Sequence, residues 1–189
     1  MKITVVGAGY VGLSNALLFS KQHDVMVYDI DKTRVKNINQ RVSPMSDTCI
    51  QNYLSESNIE ATCDQELAYQ QAKLIIIATL TNYNPETNYF DTSSIENVIH
   101  SIQKINPKAL MLIKSTVPVG YTKELSKKLA LNNLIFSPEF LREGQALQDN
   151  LYPSRIIVGE KSKRAEKIAK LYLKATIKKD AVLLCVDST

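Results

Sequence analysis

Three glycines near the start of the chain have the spacing that dinucleotide-binding loops require. Residues 7–12 are GAGYVG, a G-x-G-x-x-G pattern directly after a predicted short buried strand at residues 2–6. In such a loop the first glycine permits a tight turn, the second lets a pyrophosphate approach the backbone, and the third allows close helix packing. The N–H groups of the first helical turn then face the phosphates, whose charge the helix dipole favours. The candidate cofactor residues of this loop are Gly7, Gly9, Tyr10, Val11 and Gly12.

An acidic residue follows where the same kind of site needs one. A second predicted strand, residues 24–28, ends at Asp29, close to the separation of about 20 residues at which an acid binds the ribose hydroxyls. The glycine pattern alone is a weak signal, but strand, glycines, helix, strand and acid occur here in order. Because its carboxylate would repel a 2′-phosphate, Asp29 favours NAD over NADP. Arg34 in the next predicted helix could reach the adenosine end of a cofactor, or be a plain surface residue.

Two carboxylates and a guanidinium form a second candidate site. Residues 137–144 are SPEFLREG and place Glu139, Arg142 and Glu143 directly after a predicted strand at residues 134–136. If the segment after Pro138 is helical, the two glutamates lie at i and i+4, where like charges disfavour a helix unless something is bound. Such a conflict between local preference and fold is typical of a functional site. The alternative is a solvated acidic helix start that the dipole favours.

The elements that must position these residues alternate between strand and helix along the whole chain. The apolar run LIIIA at residues 74–78 predicts a parallel strand that is buried on both faces. We therefore predict a single α/β domain over residues 1–189, with a doubly wound, Rossmann-type, mainly parallel sheet. Further strands are predicted at residues 109–114, 155–159 and 181–186, and a long polar loop at residues 82–91.

The carboxyl ends of the strands line the ligand crevice of a doubly wound sheet. Thr79 and Thr81 follow one predicted strand, and residues 115–120 follow the next strand along the chain. We therefore expect Thr79 and Thr81 to meet the cofactor. The alternative is that they only cap the strand end.

Composition excludes several other classes of protein. The 189 residues are 44% hydrophobic and 22% charged with a net charge of +4, which is ordinary for a soluble globular protein. Lysines 163, 167, 170 and 174 have helical spacing, so they predict one solvated face of a helix rather than a nucleic-acid surface.

The cysteines and the N-terminus indicate a cytoplasmic protein. Cys49, Cys63 and Cys185 are odd in number and scattered, without the spacing of a metal site or of a disulfide framework, so we expect free thiols and no metal. The apolar N-terminus is interrupted by glycines and polar residues, and it predicts neither a signal peptide nor a membrane span.

Five segments together resemble one family. They are GAGYVGLS at residues 7–14, ATLTNY at 78–83, KSTVPVG at 114–120, FSPEFLREG at 136–144 and DNLYPSR at 149–155. The sequence closely resembles the NAD-binding domain of the NAD-dependent UDP-glucose/GDP-mannose dehydrogenases from Met1 to Thr189. The segments around Glu139 and Tyr152 favour UDP-glucose as the substrate, with UDP-N-acetylmannosamine and GDP-mannose as the alternatives.

The resemblance implies a two-step oxidation of a primary alcohol to a carboxylate with two NAD+. A cysteine of the family captures the aldehyde, a thioester follows, and water hydrolyses it. That cysteine belongs to a substrate domain beyond a central helix, and we expect both to lie outside this chain; Cys185, inside a predicted strand, is not its counterpart. The chain is then expected to bind NAD without turning over UDP-glucose alone, and the full-length enzyme to be a cytoplasmic homodimer.

The resemblance also assigns roles to residues. Val11 and Asp29 match NAD contacts, and Arg34 stands where a basic residue meets the adenosine ribose. Thr116 with Glu139 matches the pair that handles the hydrolytic water. The chain departs from the family at Leu80, where a proline is common, which puts the rigidity of that loop in doubt. Further matches are Thr81, Thr116 and Glu143 for the cofactor, and Glu139, Phe140, Leu141, Arg142 and Glu143 for the sugar nucleotide.

Two rival functions remain open from the sequence. A β-hydroxyacid dehydrogenase shares the opening glycine loop but gives no reason for the stretch from Glu139 to Arg155. A non-catalytic NAD-sensing module would explain why no cysteine half is present.

Overall fold

Alternating strands and helices build one central parallel sheet that is covered on both faces. The computed structural model of the chain describes residues 1–86 and 89–188. The strands are β1 (Lys2–Val6), β2 (Asp24–Tyr28), β3 (Glu60–Thr62), β4 (Leu74–Ile77), β5 (Asn82–Asn84), β6 (Tyr89–Asp91), β7 (Leu110–Ile113), β8 (Leu134–Phe136), β9 (Arg155–Val158) and β10 (Val182–Cys185). The helices are α1 (Tyr10–Ser20), α2 (Lys32–Asn39), α3 (Thr48–Glu56), α4 (Gln65–Tyr69), α5 (Ser93–Ile105), α6 (Tyr121–Lys128), α7 (Ala146–Leu151) and α8 (Lys163–Ala175).

The main sheet has six parallel strands in the order β3-β2-β1-β4-β7-β8. Val6 at the end of β1 pairs with Tyr28 of β2 on one side and with Ile77 of β4 on the other. The strand order therefore reverses between β1 and β4, and the carboxyl ends of these strands form the crevice where doubly wound sheets bind ligands. The predicted fold class is confirmed.

Apolar side chains fill both sides of this sheet. On one face, α1 packs with Leu13 and Leu17 against strand residues and against Leu147 of α7. On the other face, Ile95, Ile99 and Ile102 of α5 cover the strands. This arrangement explains the uninterrupted burial of β4, because a strand covered by helices on both faces needs apolar residues at every position.

Two helices begin with an aspartate whose side chain caps them. The Asp31 carboxylate accepts hydrogen bonds from the backbone N–H groups of Thr33 and Arg34 at the start of α2. Asp64 does the same for Glu66 and Leu67 at the start of α4. Both aspartates supply acceptors for N–H groups that have no partner within the helix.

Two segments differ from the predictions. Residues 82–91 were predicted as a loop, but β5 and β6 pair there as an antiparallel hairpin, whose residues 87–88 lie outside the described part. The helix considered after Pro138 is wrong, because residues 138–145 are irregular and α7 begins only at Ala146. Gly144 turns the chain there with φ of 75°, a left-handed conformation that does not continue a right-handed helix.

The last two strands form a small sheet of their own beside β8. β9 and β10 pair in parallel, and this sheet is joined to the main one because the Gly159 N–H donates to the Phe136 carbonyl at 2.7 Å. The junction between the two sheets lies at the carboxyl end of β8, where the SPEFLREG segment begins.

Other predicted surface and cysteine features can be compared directly with the structure. Lysines 163, 167, 170 and 174 are all exposed on α8, as predicted. Cys49, Cys63 and Cys185 are free thiols. Within residues 1–86 and 89–188, no helix has the length and apolar character needed to cross a membrane. No group of three potential metal ligands occurs within the same ranges.

Candidate functional site

The glycine loop leaves β1 and enters α1 at the sheet crevice. Gly7 has a φ of 98°, and a Cβ at this position would overlap the carbonyl oxygen of Ala78 at the end of β4. A Cβ at Gly12 would overlap the carbonyl oxygen of Gly7, so the third glycine lets α1 lie against its own loop. These two positions must be glycine for the fold itself.

Gly9 has different surroundings. No heavy atom lies within 4 Å of the position that a Cβ would take there. Gly9 is the N-cap of α1, and no side chain caps this helix, so the N–H groups of its first turn have no acceptor within the helix. Tyr10 and Val11 begin the helix and are partly exposed. The loop therefore presents open space and free N–H donors, which fit the pyrophosphate of a dinucleotide.

Asp29 lies beside this loop at the end of β2. One carboxylate oxygen, Oδ2, accepts a hydrogen bond from the Ala8 N–H at 2.6 Å, and the other accepts from the Asp31 N–H at 2.8 Å. Arg34 Nη1 is 3.9 Å from Asp29 Oδ2 and Arg34 Nε is 3.6 Å from Asp31 Oδ2. The tertiary structure thus brings Asp29, Arg34 and the glycine loop together.

The predicted threonines meet at the ends of β4 and β7. Thr81 Oγ1 donates to the Thr116 carbonyl at 2.9 Å, and Ser94 Oγ donates to Thr79 Oγ1 at 3.0 Å. Ser115 Oγ donates to the Thr79 carbonyl at 2.7 Å. These bonds tie the two strand ends into one surface, which includes Ser94 and Ser115 although the sequence analysis did not select either of them.

A pocket of about 220 Å³ opens next to this surface, at the junction of the main and small sheets. Glu139, Phe140 and Leu141 line it from the segment after β8. Thr116 is exposed at the neighbouring strand end, outside the pocket lining. The other lining residues are Lys114, Ser137, Pro138, Asp149, Asn150, Tyr152, Pro153, Ser154, Arg155, Ile156, Ile157, Tyr172 and Thr176.

The pocket contains a half-buried acid, Glu139, and a buried base, Lys114. Burial raises the pKa of Glu139 above its ordinary range, and Lys114 partly offsets this effect. Burial lowers the pKa of Lys114, and Glu139 partly restores it. An acid whose pKa is raised toward neutrality is suited to accept and release a proton near physiological pH.

Arg142 and Glu143 lie outside this pocket lining. Arg142 is held in a bidentate pair, with its Nη2 atom 2.6 Å from Asp149 Oδ1 and its Nε atom 3.2 Å from Asp149 Oδ2. This pair lowers the pKa of Asp149, chiefly through the side-chain hydrogen bond. Glu143 is exposed in the turn that Gly144 completes. The two glutamates of the segment therefore have different environments, since Glu139 is half-buried and Glu143 is exposed to solvent.

Three functional candidates escaped the sequence analysis. Lys114 was predicted only as the end of a buried strand, although a lysine after the apolar run LMLI is a local signal. Tyr172 of α8 donates to Asn15 Oδ1 at 2.8 Å, and Asn15 Nδ2 donates to the Val11 carbonyl at 2.8 Å. The bond between Tyr172 and Asn15 joins segments far apart in the chain, so no local pattern could reveal it.

A sequence model described as the UDP-glucose/GDP-mannose dehydrogenase family, NAD binding domain, matches residues 1–176. The chain is 48% identical over 192 residues to a UDP-glucose 6-dehydrogenase of Campylobacter jejuni, and 47% identical over 194 residues to one of Streptococcus pneumoniae. The alignments cover 100% and 98% of this chain and 49% of each relative. The chain therefore spans about half the length of these relatives.

Solved structures show the same architecture. A UDP-glucose dehydrogenase from Pyrobaculum islandicum superposes with a TM-score of 0.87 at 26% identity, over 99% of this chain and 46% of that one. A GDP-mannose dehydrogenase from Pseudomonas aeruginosa also gives a TM-score of 0.87, at 23% identity, over 100% of this chain and 47% of that one. The second likeness concerns the fold alone.

Proposed function

The chain belongs to the UDP-glucose/GDP-mannose dehydrogenase family through its NAD-binding domain, and from this membership we propose that it forms the NAD-binding wall of a UDP-glucose 6-dehydrogenase. Such an enzyme is an NAD-dependent oxidoreductase that converts the primary alcohol of UDP-glucose to a carboxylate. The near-half identity to two UDP-glucose 6-dehydrogenases supports UDP-glucose over the other sugar nucleotides of the family.

The observation that carries the proposal is the open space at Gly9 next to Asp29. The pyrophosphate fits where no atom lies within 4 Å of a Gly9 Cβ and where the uncapped N-terminus of α1 supplies N–H donors. Asp29 is the acceptor for the adenosine ribose hydroxyls, and Arg34 flanks it. We assign Tyr10, Val11, Thr79, Thr81, Thr116 and Glu143 to the remaining cofactor contacts.

The pocket at the end of β8 is the proposed substrate wall. Glu139, Phe140 and Leu141 line it, and we assign Arg142 and Glu143 to its rim. When bound, NAD+ supplies the hydride acceptor for both oxidation steps. In hydrolysis, Glu139 takes a proton from water while the water oxygen bonds to the thioester carbonyl carbon. The carbon–sulfur bond then breaks, which releases the acid and the cysteine thiolate. Thr116, on the neighbouring strand end, helps to hold this water.

We extend the proposal from this site to the whole enzyme. Residues 1–189 act as one NAD-binding domain, and a substrate domain with the cysteine nucleophile completes the cleft. We place the enzyme in the cytoplasm as a homodimer that supplies nucleotide sugar for polysaccharide synthesis, without nucleic-acid or membrane partners. The free thiols at Cys49, Cys63 and Cys185 support a reducing compartment.

Calorimetric titration of the chain with NAD+ and with NADP+ tests the cofactor assignment. We expect NAD+ to bind more tightly, because the Asp29 carboxylate repels a 2′-phosphate. Asp29→Asn keeps an acceptor for the Ala8 N–H but removes the charge, and it should reduce the preference for NAD+ by about tenfold, or about 1.4 kcal/mol. Asp24→Asn, at the exposed start of β2, is the matched control and should leave the preference unchanged.

Two results would contradict the proposal. The absence of heat with millimolar NAD+ would show that the loop does not form a dinucleotide site. Tighter binding of NADP+ by the unmodified chain would show that Asp29 does not contact the ribose.

A further inference from the structure

Lys114 is a buried cation whose direct acceptors are both neutral. The residue follows β7 and is 6% exposed. Its Nζ atom is 3.2 Å from the Pro138 carbonyl oxygen and 3.5 Å from Ser137 Oγ, and it lies 5.2 Å from the centre of the Tyr172 ring. Burying an ammonium group is costly unless a compensating charge is near.

The charged neighbours of Lys114 can be named from every element that lines its pocket. Within the described residues, no carboxylate oxygen is within 4.0 Å of Lys114 Nζ. Asp149 of α7 forms an ion pair with Arg142. Arg155 of β9 is exposed, as is Tyr152. The phenol of Tyr172 on α8 donates a hydrogen bond to Asn15. The pKa of Tyr172 is raised, mainly by burial and to a smaller extent by the negative charge of the nearby Glu139.

Glu139 is the remaining acid of this pocket, and it lacks a partner of its own. Its Oε2 atom is buried and has no hydrogen-bond partner. In the sequence, Glu139 directly follows Pro138, whose carbonyl oxygen accepts a hydrogen bond from the Lys114 ammonium group. A half-buried carboxylate with one buried oxygen and a buried ammonium thus line the same pocket, each without another counter-charge there. In a medium of low polarity such a pair interacts strongly even without direct contact.

We propose that Lys114 is a positioning residue whose buried ammonium is the counter-charge that keeps Glu139 ionised and in place at the pocket. The inference rests on the proposed role of Glu139 as the group that takes a proton from water. Lys114 itself touches neither water nor substrate in this role. It acts through Glu139, because an adjacent positive charge favours the carboxylate over the neutral acid.

The geometry also explains why a lysine stands at the end of an apolar strand. The Pro138 carbonyl oxygen and Ser137 Oγ accept hydrogen bonds from the Lys114 ammonium group and hold it next to the segment that carries Glu139. Ser137 Oγ in turn donates to the Ile157 carbonyl of β9 at 2.7 Å. The main sheet and the small sheet are therefore joined at the point where the counter-charge is held.

The test is a carboxyl NMR titration of the 189-residue chain with labelled glutamate, compared with Lys114→Met. The Glu139 signal is identified as the one missing from Glu139→Gln. We expect the pKa of Glu139 to rise by about one unit or more in Lys114→Met, because an opposite charge is removed from its vicinity. Lys123→Met, on the exposed side of α6, is the control and should leave this titration unchanged.

A second titration keeps the proposal testable if Lys114→Met does not fold. With labelled lysine, the pKa of Lys114 should fall in Glu139→Gln, because the same interaction is then removed from the other partner. An unchanged Glu139 titration in folded Lys114→Met, or an unchanged Lys114 titration in Glu139→Gln, would overturn the inference. Both titrations need neither NAD+ nor UDP-glucose, so their outcome is independent of whether the calorimetric test of the proposed function succeeds.

Discussion

Gly9 and Gly12 belong to one motif, yet the reason for a glycine differs between them. At Gly12 a side chain would collide with the backbone of the loop itself, whereas at Gly9 nothing in the protein opposes a Cβ. Gly9 also has φ of −79° and ψ of −173°, an extended conformation that any residue adopts. The fold therefore explains Gly12, whereas no contact within the described residues requires a glycine at position 9, in agreement with the pyrophosphate site proposed there.

Alanine substitutions at these two glycines should separate stability from binding. Gly9→Ala should change the free energy of unfolding by no more than about 0.5 kcal/mol, while its methyl group occupies the space proposed for the pyrophosphate and abolishes NAD+ binding. Gly12→Ala should cost about 1–3 kcal/mol or more, because the backbone must move. Urea unfolding and calorimetry measure the two effects, and unchanged NAD+ binding by Gly9→Ala would place the cofactor elsewhere.

Glu139 and Glu143 show that residue type alone does not decide whether a glutamate can act as a proton acceptor. Both are glutamates of one short segment, but Glu139 lines a pocket and has a raised pKa, whereas Glu143 is exposed. A proton acceptor for neutral pH needs partial burial. The structure therefore favours Glu139 as the base of the proposed hydrolysis.

At the scale of elements, polar side chains replace backbone partners where the regular structure ends. Asp64 caps α4. Asn39 at the end of α2 accepts from the Ala61 N–H at 2.8 Å and donates to the Ala61 carbonyl at 2.9 Å. Its amide thus pairs with the outer edge of β3 as a neighbouring strand would, which satisfies the exposed edge of the sheet.

The cap of α4 offers a test that is separate from the functional site. Asp64→Ala should lower the free energy of unfolding by about 1 kcal/mol, because the N–H groups of Glu66 and Leu67 lose their acceptor. Asp64→Asn is the matched control, since asparagine caps a helix about as well. Urea unfolding of the three proteins measures the difference, and equal stability of Asp64→Ala and the unmodified chain would show that the cap contributes nothing.

At the scale of the whole molecule, the cofactor crevice and the pocket share one edge of the main sheet. The strand ends of β1, β2, β4 and β7 carry the proposed cofactor contacts, and the segment after β8 carries the pocket. None of the three cysteines lines that pocket. Burial also raises the pKa of Cys49 and of Cys185, which leaves both thiols less ionised and less nucleophilic.

The chain by itself should consequently bind cofactor without oxidising the sugar. With NAD+ and UDP-glucose we expect no sustained NADH formation, followed by absorbance, because this chain supplies only one wall of the proposed cleft and no thiol of the chain lines the pocket to carry the oxidation beyond the aldehyde. The dehydrogenase of Campylobacter jejuni, of which this chain covers 49%, serves as the positive control for the assay. Sustained turnover by the pure chain would place the chemistry within residues 1–189.

The features predicted well from the sequence are those that depend on neighbouring residues. The glycine loop and the buried run at β4 follow from turn chemistry and from the pattern of apolar residues. The helix considered after Pro138 failed for a tertiary reason. Asp149 of α7 accepts from the Arg142 N–H at 2.9 Å and binds its guanidinium, so contacts from outside the segment determine its path.

The sequence by itself determined the doubly wound fold, the dinucleotide loop and the acid that follows it, because each is encoded by residues close together in the chain. Only the tertiary structure decided which ionisable groups are buried together. Lys114 directly follows β7, Glu139 lies in the segment after β8, and Tyr172 lies on α8. Their side chains meet where the small sheet packs against the main one. Burial sets the charge state of such groups, and it depends on the packing of distant elements.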